Sequence, residues 1–341
     1  MPSTTGSGMM ASPRTPPPET TMTMRTSGGS GRTTPPRPLD VESLFPGLAA
    51  HRRTATRLHP RPGTPGPRDS HVGGPMLWPA DEPWPVCAGP HRRAPGPEPL
   101  PLVALAQLHA RDVPDLPAGP DGCDLLQVFW CPFDAHGPTG YGMYTHLRWR
   151  RAAEVRVPAT ERPAPGAVGF DGYLPEPCVL HPERITEYPY IELLTGELGA
   201  AVDAWEEAQE EALAEAQDEA ALARTARQIA EGPDHHGEED DDEPWLPTYE
   251  CDLSVAPGWK VGGHAAWNLT GPGTMDCAAC GCPMELLLTV ATNEWHADRK
   301  SWIPLEDGPM SPTGVVVGNH GKLNLFACPR DPSHPHRFSV Q

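Results

Sequence analysis

The chain has 341 residues, a formal net charge of −19, and 46 Pro with 34 Gly. That length makes one large domain or two ordinary ones, and a hydrophobic share of 38% falls short of a chain that is folded throughout. No window approaches roughly 18 apolar residues, which excludes a membrane-spanning helix.

Residues 1–39 hold 27 Pro, Ser, Thr or Gly and no aromatic. Such a stretch buries too little apolar surface to offset its ordering entropy, so it reads as a disordered tail. It lacks the apolar segment of a secretory signal, and Met9, Met10, Met22 and Met24 leave the start codon open. Residues 40–69 read as a short helix over 40–58 and a linker, with Asp40 as the N-cap and Val41, Leu44 and Leu48 on one face. From 71 to 134 short apolar runs alternate with Pro and Gly turns, the mark of strands and loops. This first β-rich unit and its connection occupy 70–193.

Residues 197–231, rich in Ala, Glu and Gln without Pro, are the one long helical signal, within an insertion at 194–250. Leu198, Val202 and Trp205 equip the first turns to dock, and beyond Trp205 the inner face is mostly Ala. Residues 197–243 carry 17 acidic and 2 basic side chains, which leaves the rest of the chain near −4. Nucleic-acid binding through a basic face and adhesion to an anionic membrane are disfavoured. The run 237–243 lacks the alternating ligands of a calcium loop. A solvated helix is the plainer reading of this insertion. The sharper one takes Glu206, Glu207, Glu210, Glu211, Asp240 and Asp241 as groups that steer a basic protein partner.

Three motifs recur in the same order. Val72-Gly73-Gly74 with Trp78 matches Val261-Gly262-Gly263 with Trp267; 102–108 resembles 284–290; and 126–134 parallels 323–331, at offsets of 189, 182 and 197. The fold expected is α+β, a β-rich internal duplication whose second unit fills 251–341, with the helical insertion between. Two repeats are too few for a solenoid. The Gly pairs serve backbone geometry, since only Gly takes positive φ freely, and neither sits in a phosphate-binding pattern.

On these motifs the chain resembles the YwqG-like family of bacterial proteins (domain of unknown function 1963). The residues that carry the likeness are Ser70-His71-Val72-Gly73-Gly74-Pro75 with Trp78-Pro79, Leu105-Ala106-Gln107, and Asp124-Leu125-Leu126-Gln127-Val128-Phe129. The second half, from Lys260 through a Cys-x-x-Cys to Leu288, is also similar to the programmed cell death protein 2 family. The resemblance spans about 70–341 without the acidic helix. It implies a duplicated β-rich fold with no established bacterial activity; eukaryotic relatives of the second kind chaperone a ribosomal protein.

Nine cysteines without a secretion signal point to a reducing, cytoplasmic setting, where Cys clusters bind metal more often than they pair. Cys277 and Cys280 form a Cys-x-x-Cys knuckle that grips one ion from a tight turn, with Gly281 supplying the turn. Cys328 and either His334 or His336 are the expected remaining ligands of a structural Zn²⁺. Relatives often carry a second Cys where this chain has Asp331. Cys282 reads as a spare thiol. Cys87 with His91 and Cys131 with His136 echo the arrangement in the first half; a vestige of duplication is the plainer reading and a second zinc the sharper one. No nucleophile elbow, H-E-x-x-H or P-loop occurs. The function expected is a non-enzymatic protein-binding module, chaperone-like or antitoxin-like. The alternative is a metal- or thiol-dependent enzyme with a cleft between the units, using His264, His296 or the Cys277 cluster. Glu294, Asp298 and His320 are further acid–base candidates.

Overall fold

The computed structural model describes residues 32–89, 99–134, 136, 142–231, 245–297 and 299–341. Helix α1 (Val41–Leu44) is capped by Asp40, whose carboxylate accepts the Glu42 and Ser43 N–H groups. Pro46 stops it, because proline supplies no helical N–H and clashes with the preceding turn. A 3₁₀ turn (Pro46–His51) follows, and the chain then enters β1 (Arg53–Arg57). The expected helix-and-linker is therefore shorter in helix and contains a strand of a large sheet.

The remaining strands are β2 (Arg61–Pro62), β3 (His71–Val72), β4 (Val86–Cys87), β5 (Leu100–Pro101), β6 (Val103–His109), β7 (Leu125–Trp130), β8 (Thr145–Arg150), β9 (Cys178–Val179) and β10 (Glu183–Glu187). After helix α2 (Gly196–Glu231) come β11 (Lys260–Gly262), β12 (Glu285–Ala291), β13 (Lys322–Ala327) and β14 (Arg337–Val340). Three strands, β8 to β10, lie in the stretch expected as a connection.

Two six-stranded antiparallel sheets have orders β10-β1-β11-β12-β13-β14 and β2-β9-β3-β6-β7-β8. In each, a short strand leads into a three-strand meander. In each, the other neighbour of that short strand is distant in sequence, β1 beside β11 and β9 beside β3, but only the first sheet mixes strands from before α2 (β1 and β10) with strands from after it. β6 and β12 carry the same irregularity, between Ala104 and Ala106 and between Leu286 and Leu288. The bulge turns two consecutive residues to one face, so Leu105 with Ala106, and Leu287 with Leu288, all enter the central core.

That core draws on both sheets, with Val103, Val128 and Trp130 from one and Val261, Val290 and Leu325 from the other. The outer face of one sheet is covered by Met76, Trp78, Leu102 and Phe129, and that of the other by Ala265, Trp267, Met284 and Phe326. Strands covered on both sides need no polar alternation, and β6 and β7 are buried at every position.

The first turns of α2 dock as expected: Val202 is fully buried and Trp205 meets Phe45 edge-on at 5.5 Å. Residues 1–31 of the expected tail lie outside the described residues. Residues 32–39 depart from that expectation, because their arginines find aromatic faces and their threonines carboxylates. Arg37 lies over Tyr188 at 5.2 Å and Trp302 at 5.1 Å, and the Thr34 N–H donates to Glu183. Among the described residues no helix is long and apolar enough to cross a membrane.

Candidate metal centre

Ahead of β12 the chain folds back on itself at an Asp276–Pro283 bridge. The Cys277 N–H donates to the Cys282 carbonyl at 2.9 Å and the Gly281 N–H to the Cys277 carbonyl at 2.8 Å. Gly281 sits at φ +69°, a left-handed conformation that a side chain resists. Cys328 is the residue directly after β13. His334 follows a turn in which the Asp331 carboxylate accepts the Ser333 N–H and the Asp331 carbonyl the His334 N–H.

These segments bring the donor atoms of Cys277, Cys280, Cys328 and His334 within 4.8 Å of one another. Cys277 Sγ lies 3.4 Å from His334 Nδ1, and Cys280 Sγ 3.6 Å from Cys328 Sγ. A tetrahedral ion held at about 2.3 Å from sulfur and 2.0–2.1 Å from nitrogen sets its donors about 3.6–3.8 Å apart. The set therefore fits a metal ion. Burial alone would raise the Cys328 thiol, but the N–H groups of Asp331 and Arg330, with Cys282 and His334, pull it down to about 6. Contact with Cys328 raises His334 above its ordinary value.

Cys282 Sγ lies 3.4 Å from both Cys280 and Cys328, so the expected spare thiol touches the donor set. His336, the other expected ligand, faces away and bonds the Thr145 hydroxyl of β8 at 2.7 Å.

The glycine motifs serve geometry. Gly73, Gly262 and Gly263 have φ of +67°, +73° and +72°. Gly74 does not; there a Cβ would strike Pro65 and the His71 ring. Trp78 meets Phe129 at 5.4 Å and Trp267 meets Phe326 at 5.7 Å. Of the acidic candidates, Glu207, Glu210 and Glu211 are exposed, whereas the Glu206 carboxylate accepts the Tyr249 N–H at 2.8 Å and so serves the fold. Asp240 and Asp241 lie outside the described residues, as do Asp298 and His91.

The acid–base candidates do not converge. His264 bonds the His51 carbonyl, and burial lowers it to about 4. Glu294 accepts the Trp259 N–H inside the core, and burial raises it to about 7. Two groups of three or more ligating His, Cys, Asp or Glu form among the described residues, and His264, Glu294, His296 and His320 belong to neither.

A buried ion pair gave no signal in the sequence. Lys260 Nζ lies 2.6 Å from both Glu187 oxygens, with both side chains at most 1% exposed. Glu187 also accepts the Ala256 and His264 N–H groups, so its lone pairs are filled. None of the nine cysteines is in a disulfide. Comparison with protein-family models and with curated proteins returns no match for this chain.

Proposed function

We propose that the chain is a non-enzymatic, cytoplasmic protein-binding module of two duplicated β-rich units, held by a structural zinc ion, which receives a basic partner on α2. The observation that carries the binding role is the outer stretch of that helix. Of the described side chains from 210 to 223, Leu213 is half-buried and the others are exposed. A polar helix without packing is marginal alone in water. What this one offers is charge: Glu207, Glu210, Glu211, Glu215, Asp218 and Glu219 all face solvent.

Zinc is the reading for the metal because three thiols and an imidazole suit a borderline-soft ion, and four protein donors close the site to water. Duplication is supported by pairs of contacts at the sequence offsets. Gln127 Nε2 donates to the Leu77 carbonyl and Asn324 Nδ2 to the Ala266 carbonyl. His71 Nε2 bonds the Pro75 carbonyl and Lys260 Nζ donates to the His264 carbonyl. The likeness to YwqG-like proteins rests on the same motifs. Cysteines without disulfides fit a reducing compartment.

The test is binding of a Lys/Arg-rich peptide by fluorescence anisotropy across a salt series. Wild-type protein should bind at low salt and release as salt rises. A Glu207→Lys/Glu210→Lys/Glu211→Lys variant should bind about tenfold more weakly, and Glu161→Lys, off the helix, should bind as wild type. Equal binding by the triple variant, or none by wild type at any salt, would sink the reading.

A further inference from the structure

The second ligating group is Cys87, Cys131 and His136, whose donor atoms lie within 4.8 Å of one another. It occupies the same place in its sheet as the first group does in the other. Cys131 directly follows β7 and Cys328 directly follows β13, and register pairs Gln107 with Gln127 as it pairs Thr289 with Asn324. Cys87 follows Val86, which pairs with Pro101; Cys277 follows Asp276, which pairs with Pro283. The Leu102 N–H donates to the Pro85 carbonyl at 2.9 Å, and the Met284 N–H to the Met275 carbonyl at 2.7 Å, so both hairpins are tied alike.

We infer that Cys87, Cys131 and His136 form a second metal site, which takes a zinc-class divalent cation independently of the first. Cys87 Sγ lies 3.6 Å from His136 Nε2, which matches the sulfur–nitrogen edge of about 3.6 Å in a tetrahedral zinc complex. Both thiols are buried, at 1% and 0% exposure. The imidazole is held over them from two sides. His136 and Gly142 exchange backbone hydrogen bonds of 2.9 and 2.7 Å, and the ring packs on Tyr144 at 5.5 Å. Gly89 lets that ring approach, since a Cβ there would come within 3.2 Å of His136 Nδ1. Two thiolates and an imidazole select a borderline-soft ion and reject magnesium and calcium, which demand oxygen donors. Such an ion takes a fourth donor from water or a further side chain. The site also has a mechanical effect, because it clips the β4–β5 hairpin to the end of β7 on the outer face of the sheet.

The experiment is metal content per chain of full-length protein purified without chelator. It is repeated as Co²⁺ titration of the reduced apo-protein, followed by thiolate-to-metal absorbance. Wild-type protein should hold two ions. Cys131→Ser and His136→Ala should each lose one, Cys328→Ser should lose the other, and Cys131→Ser/Cys328→Ser should lose both. His136→Ala removes no core thiol, so it keeps the test valid if Cys131→Ser fails to fold. Wild-type protein with a single ion that His136→Ala retains would overturn the second site. Metal lost in His136→Ala but unchanged in Cys328→Ser would support the second site and sink the zinc reading of the first.

Discussion

At Cys328 the chain leaves a buried strand and places one thiol beside two others and an imidazole. The spacing 277–280 and the residue types made three of these donors legible, because a Cys-x-x-Cys turn can aim two thiolates at one ion. The choice between His334 and His336 was not legible. It depends on the Asp331–Ser333 turn, which aims His334 inward while β14 carries His336 toward Thr145. The expected outcome is that Cys328→Ser and His334→Ala lose one metal ion while His336→Ala keeps it. Loss of a structural zinc costs several kcal/mol, so Cys328→Ser should melt about 10 °C lower. An unchanged melting temperature with full metal loss would remove the structural role. Residue identity also hid the Lys260–Glu187 pair, since nothing local in Glu187 marks it for burial. Burial becomes tolerable only when Lys260 and two N–H groups surround it.

Among the elements, α2 was the easiest to read and β1 the hardest. A run of Ala, Glu and Gln without Pro specifies a helix by propensity alone. Arg53–Arg57 has no such signal: two of its five residues face solvent and three are buried, so its strand state comes from pairing with β10 and β11 on either side. Helix α2 has two parts with different energetics. Its first turns pack through Val202, Leu198 and Trp205 on Phe45, Tyr188 and Tyr249, and of the described side chains from 210 to 223 all but Leu213 are exposed. Phe45→Ala should therefore destabilise the fold by about 3–5 kcal/mol. Excision of 210–231 should leave the midpoint of urea unfolding within error of wild type. Loss of stability on that excision, measured by far-UV circular dichroism, would mean the outer turns have an internal partner.

For the molecule as a whole, the entry of β1 and β10 into the sheet of β11 to β14 is decisive. That sheet takes two strands from before α2 and four from after it, and a single core draws on both sheets. Calorimetric unfolding of metal-loaded protein should show one transition whose calorimetric and van't Hoff enthalpies agree. Two resolved transitions would contradict this coupling. Composition, charge and motif order determined by themselves that the chain is an α+β protein with a long acidic helix, paired glycine–tryptophan motifs and a Cys-x-x-Cys knuckle whose thiols can hold a metal ion. Those features rest on local propensity, backbone freedom and ligand chemistry, which act over a few residues. Tertiary structure alone decided that β1 joins the sheet of β11 to β14, which histidine reaches Cys328, and that Glu206 serves the fold. Each of those depends on contacts between residues tens of positions apart, and only the packing of the two sheets on one core brings such residues together.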